Sequence, residues 1–151
     1  MRKKWIVKLA IVLLIAAFIL GQSLLPRPQS KQESLVVQSW IEPFLELFVG
    51  PGNVTLNLVR KIAHVVEYTA LGLALGVFFW DRRRWYIWGA LVGLALGAAD
   101  ETVQIFTGRG PAVKDVGIGF CGVVLGLLLC LLLRAVYRKW RQKKRGRDGA
   151  E

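Results

Sequence analysis

The chain has 151 residues, enough for one domain, and 54% of them are hydrophobic, too many for a soluble fold with a polar shell. Its formal net charge of +11 would point to nucleic acid in a soluble protein, but here the basic residues flank four apolar blocks of membrane length. Nucleic acid is therefore excluded as a partner, and the pattern predicts an all-α, polytopic membrane protein: a four-transmembrane-helix bundle with a short external amphipathic helix.

Residues 1–25 form the first span, opened by Arg2, Lys3, Lys4 and Lys8 and ended by Pro26. Its basic start, apolar core and small residues Gly21 and Ser23 loosely imitate a secretory signal with a cleavage site. The apolar stretch is long for a signal, so an uncleaved anchor is expected. Residues 26–57 form an external loop. It begins as a polar linker with Pro26 and Pro28, then turns amphipathic, with Val37, Trp40, Ile41, Phe44, Leu45 and Phe48 at helical spacing. That pattern predicts a short helix lying in the outer interface with its rings at headgroup level, kinked or opened by Pro43. Asn53-Val54-Thr55 matches a glycosylation acceptor, a three-residue coincidence that carries little weight.

Residues 58–137 form a three-helix membrane core, with spans at about 58–80, 85–107 and 115–137. Glycines four apart mark the faces on which these spans pack: Gly72 and Gly76, then Gly89, Gly93 and Gly97, then Gly122 and Gly126. Cys121 and Cys130 are nine residues apart, about 900° of helix, so they face opposite ways and cannot pair. Residues 138–151 form a basic cytoplasmic tail suited to anionic lipid headgroups. Of the 21 lysines and arginines, 15 fall on one side of the alternating spans and 6 on the other. The positive-inside rule then puts the N- and C-termini in the cytoplasm.

The costly residues cluster. A charged side chain at the centre of a membrane helix costs about 2.5–3.5 kcal/mol on insertion scales, yet Asp100 and Glu101, followed by Gln104, lie within the third apolar block. Arg60, Lys61, His64, Glu67 and Tyr68 open the second block within one helical arc. The topology puts both sets toward the external ends of their spans, roughly 5–15 Å below the surface. The loop carrying Arg109 and the start of the last span at Asp115 reach the same mouth. An outward-opening polar cleft is expected, and an ion-pair network joining Arg60 or Lys61 to Asp100, and Arg109 to Asp115, is its bland alternative.

Two chemistries fit these residue types. His64, Glu67, Asp100 and Glu101 are candidate ligands for a divalent cation, the one cofactor the residues suggest. Alternatively, His64 acts as a general base oriented by a carboxylate while Arg109 holds a phosphate. No Ser or Cys nucleophile motif, glycine-rich phosphate loop or zinc signature is present.

The stretches Arg60-Lys61-Ile62-Ala63-His64-Val65-Val66-Glu67-Tyr68 and Asp100-Glu101-Thr102-Val103-Gln104-Ile105-Phe106-Thr107-Gly108-Arg109, followed by Asp115 and Gly122, resemble the VanZ-like integral membrane proteins. The resemblance covers residues 60–126. The family's polar positions are met at Lys61, His64, Glu67, Tyr68, Asp100, Glu101, Gln104, Arg109 and Asp115. One position departs: Gly119 stands where the family often carries Asn. The resemblance implies a role in the bacterial envelope, since the family's namesake is associated with low-level resistance to the glycopeptide teicoplanin. It supplies no reaction.

The leading expectation is a multi-pass protein of the bacterial inner membrane that affects envelope or glycopeptide susceptibility by binding an anionic ligand. Arg60, Lys61, Glu67, Tyr68, Asp100, Gln104, Arg109 and Asp115 would bind it. The alternative is a membrane enzyme acting on a lipid-linked phosphate or peptidoglycan precursor, with His64 and Glu101 as catalytic acid and base. Transport is disfavoured because Leu71 to Trp80 and Trp85 to Ala98 offer no polar path to the other side.

Overall fold

The computed structural model describes residues 2–107 and 113–148. Among them are five helices and no strand: α1 (Arg2–Leu24), α2 (Arg27–Val49), α3 (Leu56–Phe78), α4 (Trp85–Phe106) and α5 (Val113–Asp148). Of these, α1, α3, α4 and α5 are long and apolar enough to cross a membrane. The distribution of side chains is that of a membrane bundle. Large apolar residues such as Leu14, Phe18, Leu91, Leu132 and Val136 face outward, while Ser23, Ser30, Asp100 and Glu101 are buried. A multi-pass membrane fold accounts for both halves of that inversion.

Helix α3 sits at the centre and touches all four others. Its closest partner is α5, and glycine is the reason. A side chain at Gly72 would run into the Val123 backbone, and one at Gly126 into the backbone of Thr69 and Leu73. At Gly122 it would meet the Val65 carbonyl at 2.7 Å. Two helices therefore meet backbone to backbone, where close van der Waals contact replaces the absent hydrophobic drive. Helix α4 joins through its own stripe: at Gly93 a Cβ would lie 2.5 Å from a Val123 methyl, and at Gly89 2.7 Å from a Leu127 methyl. The two cysteines face opposite ways, Cys121 exposed and Cys130 packed in the core.

Two elements differ from the expected lengths. The polar linker before the amphipathic helix is itself helical, because α2 starts at Arg27 with Pro28 in its first turn, where a missing amide costs nothing. Pro43 lies inside α2 without ending it. The helix is tied down on both sides of that point: the Arg60 guanidinium donates to Ser30 Oγ (3.1 Å), Gln38 donates to the Val54 carbonyl (3.0 Å), and Glu46 accepts from the Gly52 amide (2.9 Å). Trp40, Phe44, Leu47 and Phe48 face outward from it. Helix α5 does not stop near residue 137 but continues through the basic segment, 36 residues and about 54 Å in all. The sequon has a local structural use, since Thr55 caps α3 by accepting from the Leu58 amide (3.2 Å).

The two ends of the bundle are unlike. At one, Lys8 of α1 pairs with Asp81 (3.4 Å) in the α3–α4 turn, and Arg134 of α5 stacks on Trp80 and Trp85. At the other, Gln104 donates to Ser23 Oγ (3.2 Å) and Thr107 to the Ser23 carbonyl (3.1 Å), binding α4 to α1. The polar residues collect at this second end.

Candidate functional site

Asp100 lies six residues before the end of α4 and His64 eight residues into α3, so the antiparallel helices bring both to about 9–12 Å from the same end. The glycine face of α4 continues into Asp100, and close packing there leaves that side chain only 1% exposed. Its Oδ2 accepts from the Tyr68 hydroxyl (3.1 Å) and the Gln104 amide (3.4 Å). Both donors are neutral. Its Oδ1 is buried with no hydrogen-bond partner among the described residues. Glu101, 6% exposed, follows it on α4.

Two cavities meet around these residues. The first, of about 150 Å³, lies among α1, α2, α3 and α4, with Glu67, Asp100, Ser23 and Ser34 in its wall. The second, of about 120 Å³, lies among α3, α4 and α5 and is lined by Lys61, Glu101 and Asp115. Arg60, His64 and Gln104 belong to both. Each cavity is large enough for several waters or one small polar group.

Most of the sequence-predicted residues therefore come together. Arg60, Lys61, His64, Glu67, Asp100, Glu101, Gln104 and Asp115 all line one cavity or the other. Tyr68 does not. It is fully buried, its ring packs against His64 at 4.6 Å between centroids, and its hydroxyl fixes Asp100 from behind. Arg109 lies outside the described residues. The alternative ion-pair network, with Arg60 or Lys61 on Asp100, is not formed among the described residues: Arg60 bonds Ser30, and Asp100 accepts from Tyr68 and Gln104. Of the four candidate metal ligands, His64, Asp100 and Glu101 converge, with one ligand-capable atom each and all three atoms within 4.8 Å of one another. Glu67 is not part of that group; it stands on the wall of the first cavity.

Sequence reasoning missed the contribution of α1 and α2. Gln22, Ser23, Ser30, Glu33 and Ser34 line the first cavity, so α2 is a wall of the site as well as a surface helix. A signal existed in the polar pair Gln22-Ser23 at the end of an apolar span, which reads equally well as a cleavage-site imitation. Gly119 also falls on the site. A Cβ there would lie 3.2 Å from His64 Nε2 and 3.4 Å from the Tyr68 ring, so the missing side chain lets α5 approach His64 and Tyr68 closely.

No curated protein and no solved structure gave a match to the chain. The family model described as VanZ/LLP1 matches residues 8–134, which takes in most of the first and last spans, the two between them, both cavities and the glycine faces that align them. By that match across most of its length, the chain belongs to the VanZ/LLP1 family.

Proposed function

We propose that the protein is a bacterial inner-membrane member of its family that modifies envelope or glycopeptide susceptibility through a cleft open to the outside. The cleft binds an anionic envelope ligand, with Arg60 and Lys61 at its mouth and His64, Asp100, Glu101 and Gln104 within. The observation that carries this reading is the buried Asp100 carboxylate, which keeps one oxygen without a hydrogen-bond partner beside a polar cavity. Side chains retained only to hold helices together satisfy one another, because an unmatched buried polar atom is costly. The outward direction rests on the 15 basic residues at the opposite end and in the tail, against 6 here, which also puts both termini in the cytoplasm. On this topology the helical tail of α5 lies at the inner leaflet, where its basic residues meet anionic headgroups.

Profiling lipid-linked cell-wall intermediates and teicoplanin susceptibility, in cells with and without the protein, tests the reading. A shift in both supports it, and no change in either removes it. The enzymatic alternative draws on one feature, the placement of His64, Glu101 and Lys61 around the second cavity. Turnover of a labelled lipid-linked phosphate or peptidoglycan precursor by the purified protein, lost in Glu101→Gln, would favour that reading over binding alone.

A further inference from the structure

We infer that His64, Asp100 and Glu101 form a binding site for a divalent transition-metal cation of the class that accepts mixed imidazole and carboxylate ligands, such as Zn²⁺ or Mn²⁺. The three residues come from two helices, at positions 36 and 37 apart in the chain, and the bundle brings one ligand-capable atom of each within 4.8 Å of the others. Ligands bound at about 2.1 Å stand roughly 3–4 Å apart, so contraction by about an ångström closes the group on an ion. One nitrogen and two carboxylate oxygens suit a borderline cation better than Mg²⁺ or Ca²⁺, which favour oxygen alone.

A cluster of this kind proves little unless something in it calls for a ligand, and Asp100 does. The residue is 1% exposed and lines the first cavity. Oδ2 is held by Tyr68 and Gln104, which fixes the plane of the carboxylate, while Oδ1 has no hydrogen-bond partner. Outer groups that hold a carboxylate in this way orient it for a metal. The surroundings leave room for the rest of a coordination shell, since His64 borders both cavities and Glu101 the second. On the α5 side, Gly119 keeps a side chain away from His64 Nε2, where a Cβ would stand at 3.2 Å. The inference deepens the cleft reading and rests on it in one respect: the ion adds a positive centre beside Arg60 and Lys61, which suits a phosphate-bearing ligand.

The test uses the full chain, purified in detergent with any affinity tag removed and stripped by chelator. It is dialysed against Zn²⁺, Mn²⁺ or Mg²⁺ and the bound metal counted. The expected result is one Zn²⁺ or Mn²⁺ per chain, with Mg²⁺ bound at least ten-fold more weakly. Asp100→Asn and Glu101→Gln should each lower the affinity ten-fold or more, Gly119→Ala should weaken it by crowding His64, and Asp81→Asn at the far end should leave it unchanged. If those variants do not fold, Co²⁺ in the unaltered chain still decides: visible absorption bands, displaced by Zn²⁺, support the site. Absence of stoichiometric metal, or equal affinity in all folded variants, overturns it. Metal bound normally with no envelope phenotype in any variant sustains the ion site while removing the cleft function. A phenotype lost in folded Glu101→Gln, with no metal bound to the unaltered chain, overturns the ion site and spares the cleft.

Discussion

Replacing Gly126 by alanine should separate α3 from α5 and disorder the site that those helices support. A methyl group at Gly126 falls on the Thr69 carbonyl and the Leu73 amide, which are backbone and cannot rotate away. Restoring ordinary contact requires the helices to part by about an ångström along their closest seam. Overpacking in a tight core costs about 1–3 kcal/mol, and the rigid obstacle puts this case at about 3 kcal/mol. Gly97→Ala is the internal control. Its Cβ would meet the Tyr68 ring at 3.6 Å, an ordinary contact, so the change should lie within about 0.5 kcal/mol of zero or gain slightly from helix propensity. Equilibrium unfolding in mixed detergent micelles, followed by tryptophan fluorescence, measures both. Equal stability of the two variants would refute the backbone-to-backbone packing and with it the position of the polar residues.

Tyr68→Phe removes the buried hydroxyl that donates to Asp100 Oδ2 at 3.1 Å, and the same unfolding assay should register a loss of about 1–3 kcal/mol. Labelling with a small maleimide in detergent should modify Cys121 alone, with Cys130 reacting only after denaturation, because the first is exposed and the second fully buried. Two thiols reacting at one rate would contradict the described face of α5. A reporter fused after Glu151 should read cytoplasmic, and in a chain whose own cysteines are replaced, Gln32→Cys on the exposed side of α2 should label from outside with an impermeant reagent. Label reaching that position only in broken cells would reverse the orientation of the cleft.

The spans and their packing faces were legible because both leave periodic marks. Twenty apolar residues cross a bilayer whatever their neighbours, and glycines four apart allow backbone approach wherever a second helix exists. The same periodicity joined the Gly89, Gly93 and Gly97 stripe to Asp100, and the carboxylate is buried where that face leads. Individual pairings were not legible. Charge alone allows either Arg60 or Lys61 to pair with Asp100, whereas the fold gives Arg60 to Ser30 and Asp100 to Tyr68 and Gln104. Such choices depend on how α2 lies against α3, and the sequence of α2 reports only its apolar face. For that reason Ser30 reads as part of the polar linker and Ser34 carries no signal of its own, and the wall they contribute to the first cavity emerges only from the assembled bundle. Tyr68 illustrates the opposite case. Its motif position suggested ligand contact, but the helix arc turns it inward to brace Asp100.

Whether the polar cleft acts or merely holds helices together can be read from one pair of quantities taken on the same cells. Glu101→Gln and Lys61→Gln each remove a charge from the second cavity while leaving most of the side chain's shape. Folded protein in the membrane and teicoplanin susceptibility are then measured side by side for each variant. The account predicts near-normal amounts of folded protein with the susceptibility phenotype lost in both. Folded variants that keep the full phenotype, or a phenotype that falls only as folded protein falls, would contradict it.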